Sequence, residues 1–210
     1  MLQDVNLAFF LAASLALIAT PGQDNIYIVT RGIARGRKAA LVSAWGVCAG
    51  LVVHTTLAAV GLSALLAQSA VAFSVVKYVG AAYLVYLGVR TLLSGDAFDP
   101  SGEDTPAKGL GKVFWQGVAS NVLNPKVALF FLAFLPQFVD PGAGNAALQF
   151  LIFGCAFALI SLLLTSVIAV FSGSLGDRLR DRPGFARILR WMTGSVLVGL
   201  GLKLAFVERR

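Results

Sequence analysis

Residues 146–173 read AALQFLIFGCAFALISLLLTSVIAVFSG, and no charged side chain interrupts them. A helix needs roughly 20 apolar residues to cross the hydrocarbon slab of a bilayer, and this run supplies more. Working outward from it, five further stretches have the same character, at about 5 to 29, 39 to 66, 70 to 93, 114 to 139 and 190 to 207. Of the 210 residues, 58% are hydrophobic and 13% charged, against roughly 25% charged in soluble domains. The pattern predicts an all-α, polytopic membrane protein of six transmembrane helices, forming a single domain over residues 1–210. Only short loops remain between the stretches. They exclude an extramembrane domain that binds nucleotide, reads DNA or houses a soluble active site.

The formal net charge of +7 arises from seventeen Lys and Arg residues. They are placed by loop, without the basic face and stacking aromatics of a nucleic-acid surface. Counted over alternate loops, one side holds twelve: Arg31, Arg35, Arg37, Lys38, Arg90, Lys108, Lys112, Arg178, Arg180, Arg182, Arg187 and Arg190. The other holds four: Lys77, Lys203, Arg209 and Arg210. The positive-inside rule makes the richer side cytoplasmic, so both termini are expected on the periplasmic or extracellular side of a bacterial inner membrane. The stretch Arg31 to Lys38 reads first as a topology-setting loop and second as a gate. The opening residues to Ala19 are apolar and Ala-rich like a signal peptide, but Asp4 stands where a basic n-region belongs, so an uncleaved first helix is expected. Cys48 and Cys155 fall in the second and fifth stretches and read as buried free thiols.

An internal repeat gives these helices an order. Residues 77–90, KYVGAAYLVYLGVR, align with 190–203, RWMTGSVLVGLGLK, at a constant offset of 113. Leu84, Val85, Leu87 and Gly88 match Leu197, Val198, Leu200 and Gly201, and basic residues match at both ends. A second correspondence sets Thr20-Pro21 over Asn124-Pro125 at offset 104. With three spans per repeat, the halves enter the membrane from opposite sides, the inverted-repeat plan of many secondary transporters. The expected boundaries are repeat 1 at about 1–94, a cytoplasmic linker at about 95–113 and repeat 2 at about 114–210.

Polar residues inside the spans locate the chemistry. Thr20-Pro21-Gly22-Gln23-Asp24-Asn25 combines a helix breaker, a flexible residue and three hydrogen-bonding side chains. Broken helix at membrane depth is tolerated where it is buried in protein or lines a cavity. Pro21 removes one donor and frees a carbonyl nearby, and the helix restarting after it offers free N–H groups and a partial positive end suited to a carboxylate. The bland alternative is a kink near the interface with Asp24 as its cap. Asp24, Tyr27 and Arg31 fall on one helix face, so Asp24 either pairs with Arg31 or faces a cavity, where it binds an ammonium group or carries a proton. An acid inside a membrane helix is costly, which favours the cavity.

The fourth span repeats the theme. Gly117, Asn121 and Asn124 form a polar stripe that leads to Pro125 and Lys126, and the ten residues VALFFLAFLP that follow carry no charge. Lys126 lies about a dozen residues into the span, deep for snorkelling to a headgroup, and it is a candidate partner for Asp24 or holder of a carboxylate. His54, the sole histidine, lies near Gly46 and Gly50 on a face of small residues that invites close helix packing. It is a candidate for proton coupling beside Asp24, set against a plain interhelical hydrogen bond. Tyr83, Tyr86 and Arg90 read as packing and an interfacial anchor. No metal-ligand spacing, phosphate loop, nucleophile elbow or paired carboxylate is present, so no cofactor and no enzymatic activity are expected.

At these residues the sequence resembles the LysE/RhtB family of bacterial amino-acid exporters, in particular its RhtB-like branch of homoserine, threonine and leucine-type efflux. The matching pieces are TPGQDN at 20–25 with GRKAAL at 36–41, GAAYLVYLGVR at 80–90 and FWQGVASNVLNPKVALFFLAFLPQFV at 114–139. The family pattern commonly has a second proline where Gln23 stands. The resemblance implies an inner-membrane exporter of small amino acids, of six hydrophobic segments and driven by the proton gradient. Its candidate substrate site is Pro21, Gly22, Asp24, Asn25, Asn121, Asn124, Pro125 and Lys126. A neutral zwitterion suits the single in-span acid better than a dibasic amino acid. The competing readings are a cation or metal exporter, which calls for clustered acids, His or Cys in the spans, and a non-transporting scaffold or lipid-handling component, which needs no polar residues at mid-depth. The partners expected are the amino acid, protons and membrane lipid, with Gly-rich faces that would permit a homodimer, and no nucleic acid.

Overall fold

The computed structural model describes residues 4–64, 70–93, 109–179 and 183–206. Regular structure among the described residues is helical throughout, without a strand. In chain order, α1 is Asp4–Ala19 and α2 is Gln23–Leu57, which runs on into a π-helical turn, Ala58–Leu62. Next come α3, Ala70–Leu93, and α4, Leu110–Val122. Helix α5, Pro125–Leu129, continues through a π turn, Phe130–Phe134, and a 3₁₀ turn, Leu135–Phe138. The last two are α6, Ala146–Leu179, and α7, Pro183–Phe206.

The two polar breaks expected from sequence are both present. Helix α1 stops at Ala19, one residue before Thr20-Pro21, and α4 stops at Val122 before Asn124-Pro125 restarts the chain. The α4 and α5 segments meet at a bend of 48°. A third break has no proline. The helical path Gln23–Leu62 is 40 residues long, about 60 Å at 1.5 Å per residue and twice the hydrocarbon thickness. It is interrupted at Gly36, whose φ of 79° and ψ of 175° suit a residue without a Cβ. The stretch Arg31 to Lys38, read as a loop, is therefore helical on both sides of that one residue. The expected linker at 95–113 is shorter than the sequence suggests, since α4 starts at Leu110, and its residues 95–108 lie outside the described residues. Helix α7 begins at Pro183, seven residues ahead of the expected span, with proline at the first helical position, where its missing N–H costs nothing.

By length and apolarity, Gln23–Leu62 and Ala146–Ser172 qualify to cross a membrane, and the bent α4–α5 pair makes a third candidate. Leu7–Ala19 and Gly194–Lys203 are shorter apolar helices. Leu159, Leu163 and Val167 on α6 are exposed while Phe157, Ser161 and Thr165 on its other face are buried. Water would penalise such an outer face, whereas lipid solvates it. The chain is an integral membrane protein.

Helix α2 packs on α6 and α4, and α3 packs on α7. Small residues set the approach. A Cβ on Gly117 would stand 2.8 Å from the Ser43 carbonyl oxygen, and one on Gly46 would collide with the Phe114 carbonyl. At the α3–α7 crossing, a Cβ on Gly88 would stand 2.7 Å from the Gly194 carbonyl oxygen and 2.8 Å from the Val198 amide nitrogen. One on Gly201 would stand 2.8 Å from the Ala81 carbonyl oxygen and 3.0 Å from the Val85 amide nitrogen. The pairing of rising with falling numbers makes the two helices antiparallel. Beside the second break, a phenylalanine cluster fills the core. The Phe130 ring stacks on Phe157 at 4.5 Å between centroids, and Phe10 meets Phe153 at 5.0 Å.

Candidate solute site at the two helix breaks

Each proline withholds the N–H that would have met the carbonyl four residues earlier. For Pro21 that carbonyl belongs to Leu17. Lys126 Nζ donates to it at 3.1 Å and to the Thr20 carbonyl at 2.9 Å. The rest of the frayed end of α1 is closed from α2, where Asn25 Nδ2 donates to the Ile18 carbonyl at 3.0 Å and to the Thr20 carbonyl at 3.2 Å. An ammonium group at the C-terminal end of a helix also meets the negative end of its dipole.

For Pro125 the orphaned carbonyl belongs to Asn121. His54 Nε2 lies 3.2 Å from it, and because a carbonyl only accepts, this nitrogen carries the proton. The Asn124 amide shares the same acceptor at 3.0 Å. The Asn124 side chain then caps α5, its Oδ1 accepting from the Lys126 amide at 3.0 Å. His54 also stacks on Phe131, with centroids 5.5 Å apart.

Asp24 sits in the first turn of α2 and is 9% exposed. Its carboxylate accepts from Asn121 Nδ2 at 2.8 Å, Asn124 Nδ2 at 3.0 Å and Ser120 Oγ at 3.2 Å. The acid of the first break is thus held by the amides of the second, and not by Arg31. Arg31 Nη2 instead donates to Gln116 Oε1 at 3.4 Å, with its guanidinium 5.3 Å from the Tyr27 ring centroid, while Tyr27 Oη donates to the Val113 carbonyl at 2.7 Å. These contacts fasten α2 to α4 one turn away from the site.

The restart of α2 has no side-chain cap at Gly22, and a Cβ there would stand 2.9 Å from Lys126 Nζ. The absence of a Cβ at Gly22 lets the ammonium lie against the break. Asp24, Asn25, Asn121 and Lys126 together line a cavity of about 20 Å³. Leu17, Val47, Leu51, Val127 and Phe157 supply its apolar wall, and Ser161 and Thr165 its α6 side. Asn121 Oδ1 is buried there with no hydrogen-bond partner among the described residues.

The expected residues therefore come together in graded roles. Asp24, Asn25, Asn121 and Lys126 face the cavity, and Asn124 backs it by holding Asp24. Pro21, Gly22 and Pro125 shape the breaks, and His54 reaches the site only through the Asn121 backbone. Sequence reading missed Ser120, Ser161 and Thr165. The signal for the last pair was two hydroxyls at i, i+4 in a largely apolar fifth stretch. Both cysteines are free, but Cys155 is exposed and not buried as expected, because it falls on the outer face of α6. Cys48 donates to the Ala158 carbonyl at 3.7 Å.

Charged and amide side chains gathered at two helix breaks, inside a bundle whose outer face is apolar, define an integral membrane transporter and not an enzyme. The profile of the LysE type translocators matches residues 15–207, and the chain belongs to that family. It is 30% identical over 202 residues to a leucine efflux protein of Enterobacter sp. (strain 638), covering 96% of this chain and 95% of the relative. An uncharacterized membrane protein of Vibrio cholerae is 33% identical over 202 residues, covering 95% of each. The uncharacterized membrane protein YrhP of Bacillus subtilis is 29% identical over 206 residues, covering 94% of this chain and 97% of the relative. No solved structure matches the chain.

Proposed function

We propose that this translocator exports small neutral amino acids, threonine, homoserine and leucine among them, by proton-coupled alternating access through the cavity between the two breaks. The observation that carries the reading is that Asp24 and Lys126, an acid and a base from different breaks, face one cavity in the bundle. A zwitterion needs one group of each sign, held apart. Its carboxylate fits the uncapped start of α2 beside Lys126, where free N–H groups and an ammonium add their fields. Its ammonium fits Asp24 and the unpartnered Asn121 Oδ1. The relatives named leucine efflux proteins favour the same class of cargo.

Alternating access is favoured by the α3–α7 crossing. Under the sequence offset of 113, Gly88 maps to Gly201, Ala81 to Gly194 and Val85 to Val198. The contacts around Gly88 and those around Gly201 are then images of each other. A pseudo-two-fold axis lying in the membrane plane produces such an exchange, which supports two inverted repeats of three spans each. The cavity as described has room for about one water molecule, so the site is collapsed and must open to admit cargo.

The test is export from cells fed dipeptides, with the amino acids appearing outside measured against control cells. Wild-type protein is expected to raise the efflux of at least one neutral amino acid. Asp24→Asn is expected to insert normally and lose proton-coupled export. Unchanged efflux together with raised heavy-metal tolerance would overturn the reading. Export by Asp24→Asn that keeps its pH dependence would remove Asp24 from the coupling.

A further inference from the structure

The inner face of α6 changes character along its length. Phe150, Phe153 and Phe157 are buried at one end, and Ser161, Thr165 and Ser172 at the other. The cavity lies at the changeover, where Phe157, Ser161 and Thr165 all reach it. The two hydroxyls there are not equivalent. Thr165 Oγ1 donates to the Ser161 carbonyl at 2.6 Å, so its proton is spent within its own helix. Ser161 is 5% exposed, and its Oγ makes no hydrogen bond to the protein among the described residues. A hydroxyl that opens on a small cavity and has no protein partner gains from a ligand that supplies one. The remaining neighbours on that side of the cavity, Leu51, Val47 and Phe157, accept only an apolar surface.

We infer that Ser161 reads the side chain of the transported amino acid, forming with Phe157 and Leu51 a subsite that prefers a short side chain bearing one hydroxyl over its aliphatic isostere. The inference rests on the export reading above and adds a selectivity determinant on a helix that contributes no charge to the site. With the solute's ammonium and carboxylate held by Asp24 and Lys126, its side chain is left to the apolar walls and to the α6 face, which is where Ser161 stands. Ser161 Oγ then donates to or accepts from the solute's hydroxyl. A side chain lacking the hydroxyl leaves Ser161 unpaired, and binding sites discriminate against such analogues.

Threonine and valine are the pair to use, since they differ by hydroxyl against methyl at nearly equal volume. The full chain reconstituted in proteoliposomes is assayed with each labelled amino acid under a proton gradient. Wild type is expected to favour threonine. Ser161→Ala is expected to lower the threonine-to-valine ratio about tenfold, the size of one hydrogen bond. Ser161→Thr keeps the hydroxyl and is expected to hold that ratio while slowing leucine, because the added methyl narrows the subsite. This second variant decides the matter should the alanine variant fail to assemble. A ratio within about twofold of wild type in Ser161→Ala, or loss of threonine preference in Ser161→Thr, overturns the inference and leaves the export reading standing. Transport of no amino acid by wild type overturns both.

Discussion

Pro21 and Pro125 each orphan a carbonyl at membrane depth, and each orphan is met by a basic side chain from elsewhere in the chain, Leu17 by Lys126 and Asn121 by His54. Leaving such a carbonyl unpaired costs about 1–3 kcal/mol, which gives Lys126 a structural reason to be where it is, while His54 adds a second donor to a carbonyl that the Asn124 amide already meets. For His54 this bears on its role, because its protonated Nε2 is committed to a backbone acceptor. His54→Leu is expected to lower the thermal midpoint in detergent. His54→Gln, whose amide also donates, is expected to keep both export and its pH dependence. Loss of the pH dependence in His54→Gln, with export retained, would return His54 to the proton path. Asp24 differs in kind. Its three donors are all neutral side chains of the other break, so they can be exchanged for a cationic ammonium without separating an ion pair.

At the scale of elements, the two broken helices bring their polar residues to one cavity. Pro125→Ala would restore an N–H aimed at the Asn121 carbonyl and displace His54 from it. The bend of 48° between α4 and α5 should then relax. The variant is expected to unfold close to wild type, since the restored backbone bond replaces the one from His54, while exporting at least tenfold more slowly because Lys126 is rotated from the Gly22 break. Wild-type export by Pro125→Ala would show that the bend is not needed. Much of this was legible from residue order. A polar residue followed by proline in an apolar run announces a break, and Gly46 and Gly50 announced close packing, borne out against Phe114 and Asn121. What could not be read was which partner answers each break. The neighbours of Asn121 and Leu17 lie on helices far away in sequence, and spacing rules report only faces of one helix. Gly36 was equally hidden, because a lone glycine among basic residues looks like loop whether or not helix flanks it. Ser161 was hidden too. A hydroxyl can bond its own helix, and only the packed structure reveals that Thr165 does and Ser161 does not.

At the scale of the whole molecule, the proposed inverted repeat makes a quantitative demand on the crossing of α3 with α7. Residues related by the offset of 113 must feel substitution alike, since each occupies the same surroundings seen from the opposite side. Gly88 and Gly201 are such a pair, and an added Cβ meets a carbonyl oxygen at 2.7 Å in one case and 2.8 Å in the other. Backbone cannot move aside as the end of a side chain can, so Gly88→Val and Gly201→Val are each expected to cost about 1–3 kcal/mol by overpacking. Gly199 supplies the control, being on the same helix as Gly201 with nothing within 4 Å of where its Cβ would be. Thermal unfolding of the three variants in detergent should therefore show Gly88→Val and Gly201→Val lowered by similar amounts and Gly199→Val close to wild type. Equal loss in all three would mean that valine is simply a poor residue in these helices. Loss at Gly88 without loss at Gly201 would deny the proposed equivalence of the halves, and with it the support that symmetry lends to alternating access. Because neither glycine touches the cavity, the experiment separates the architecture of the transporter from the chemistry of its site.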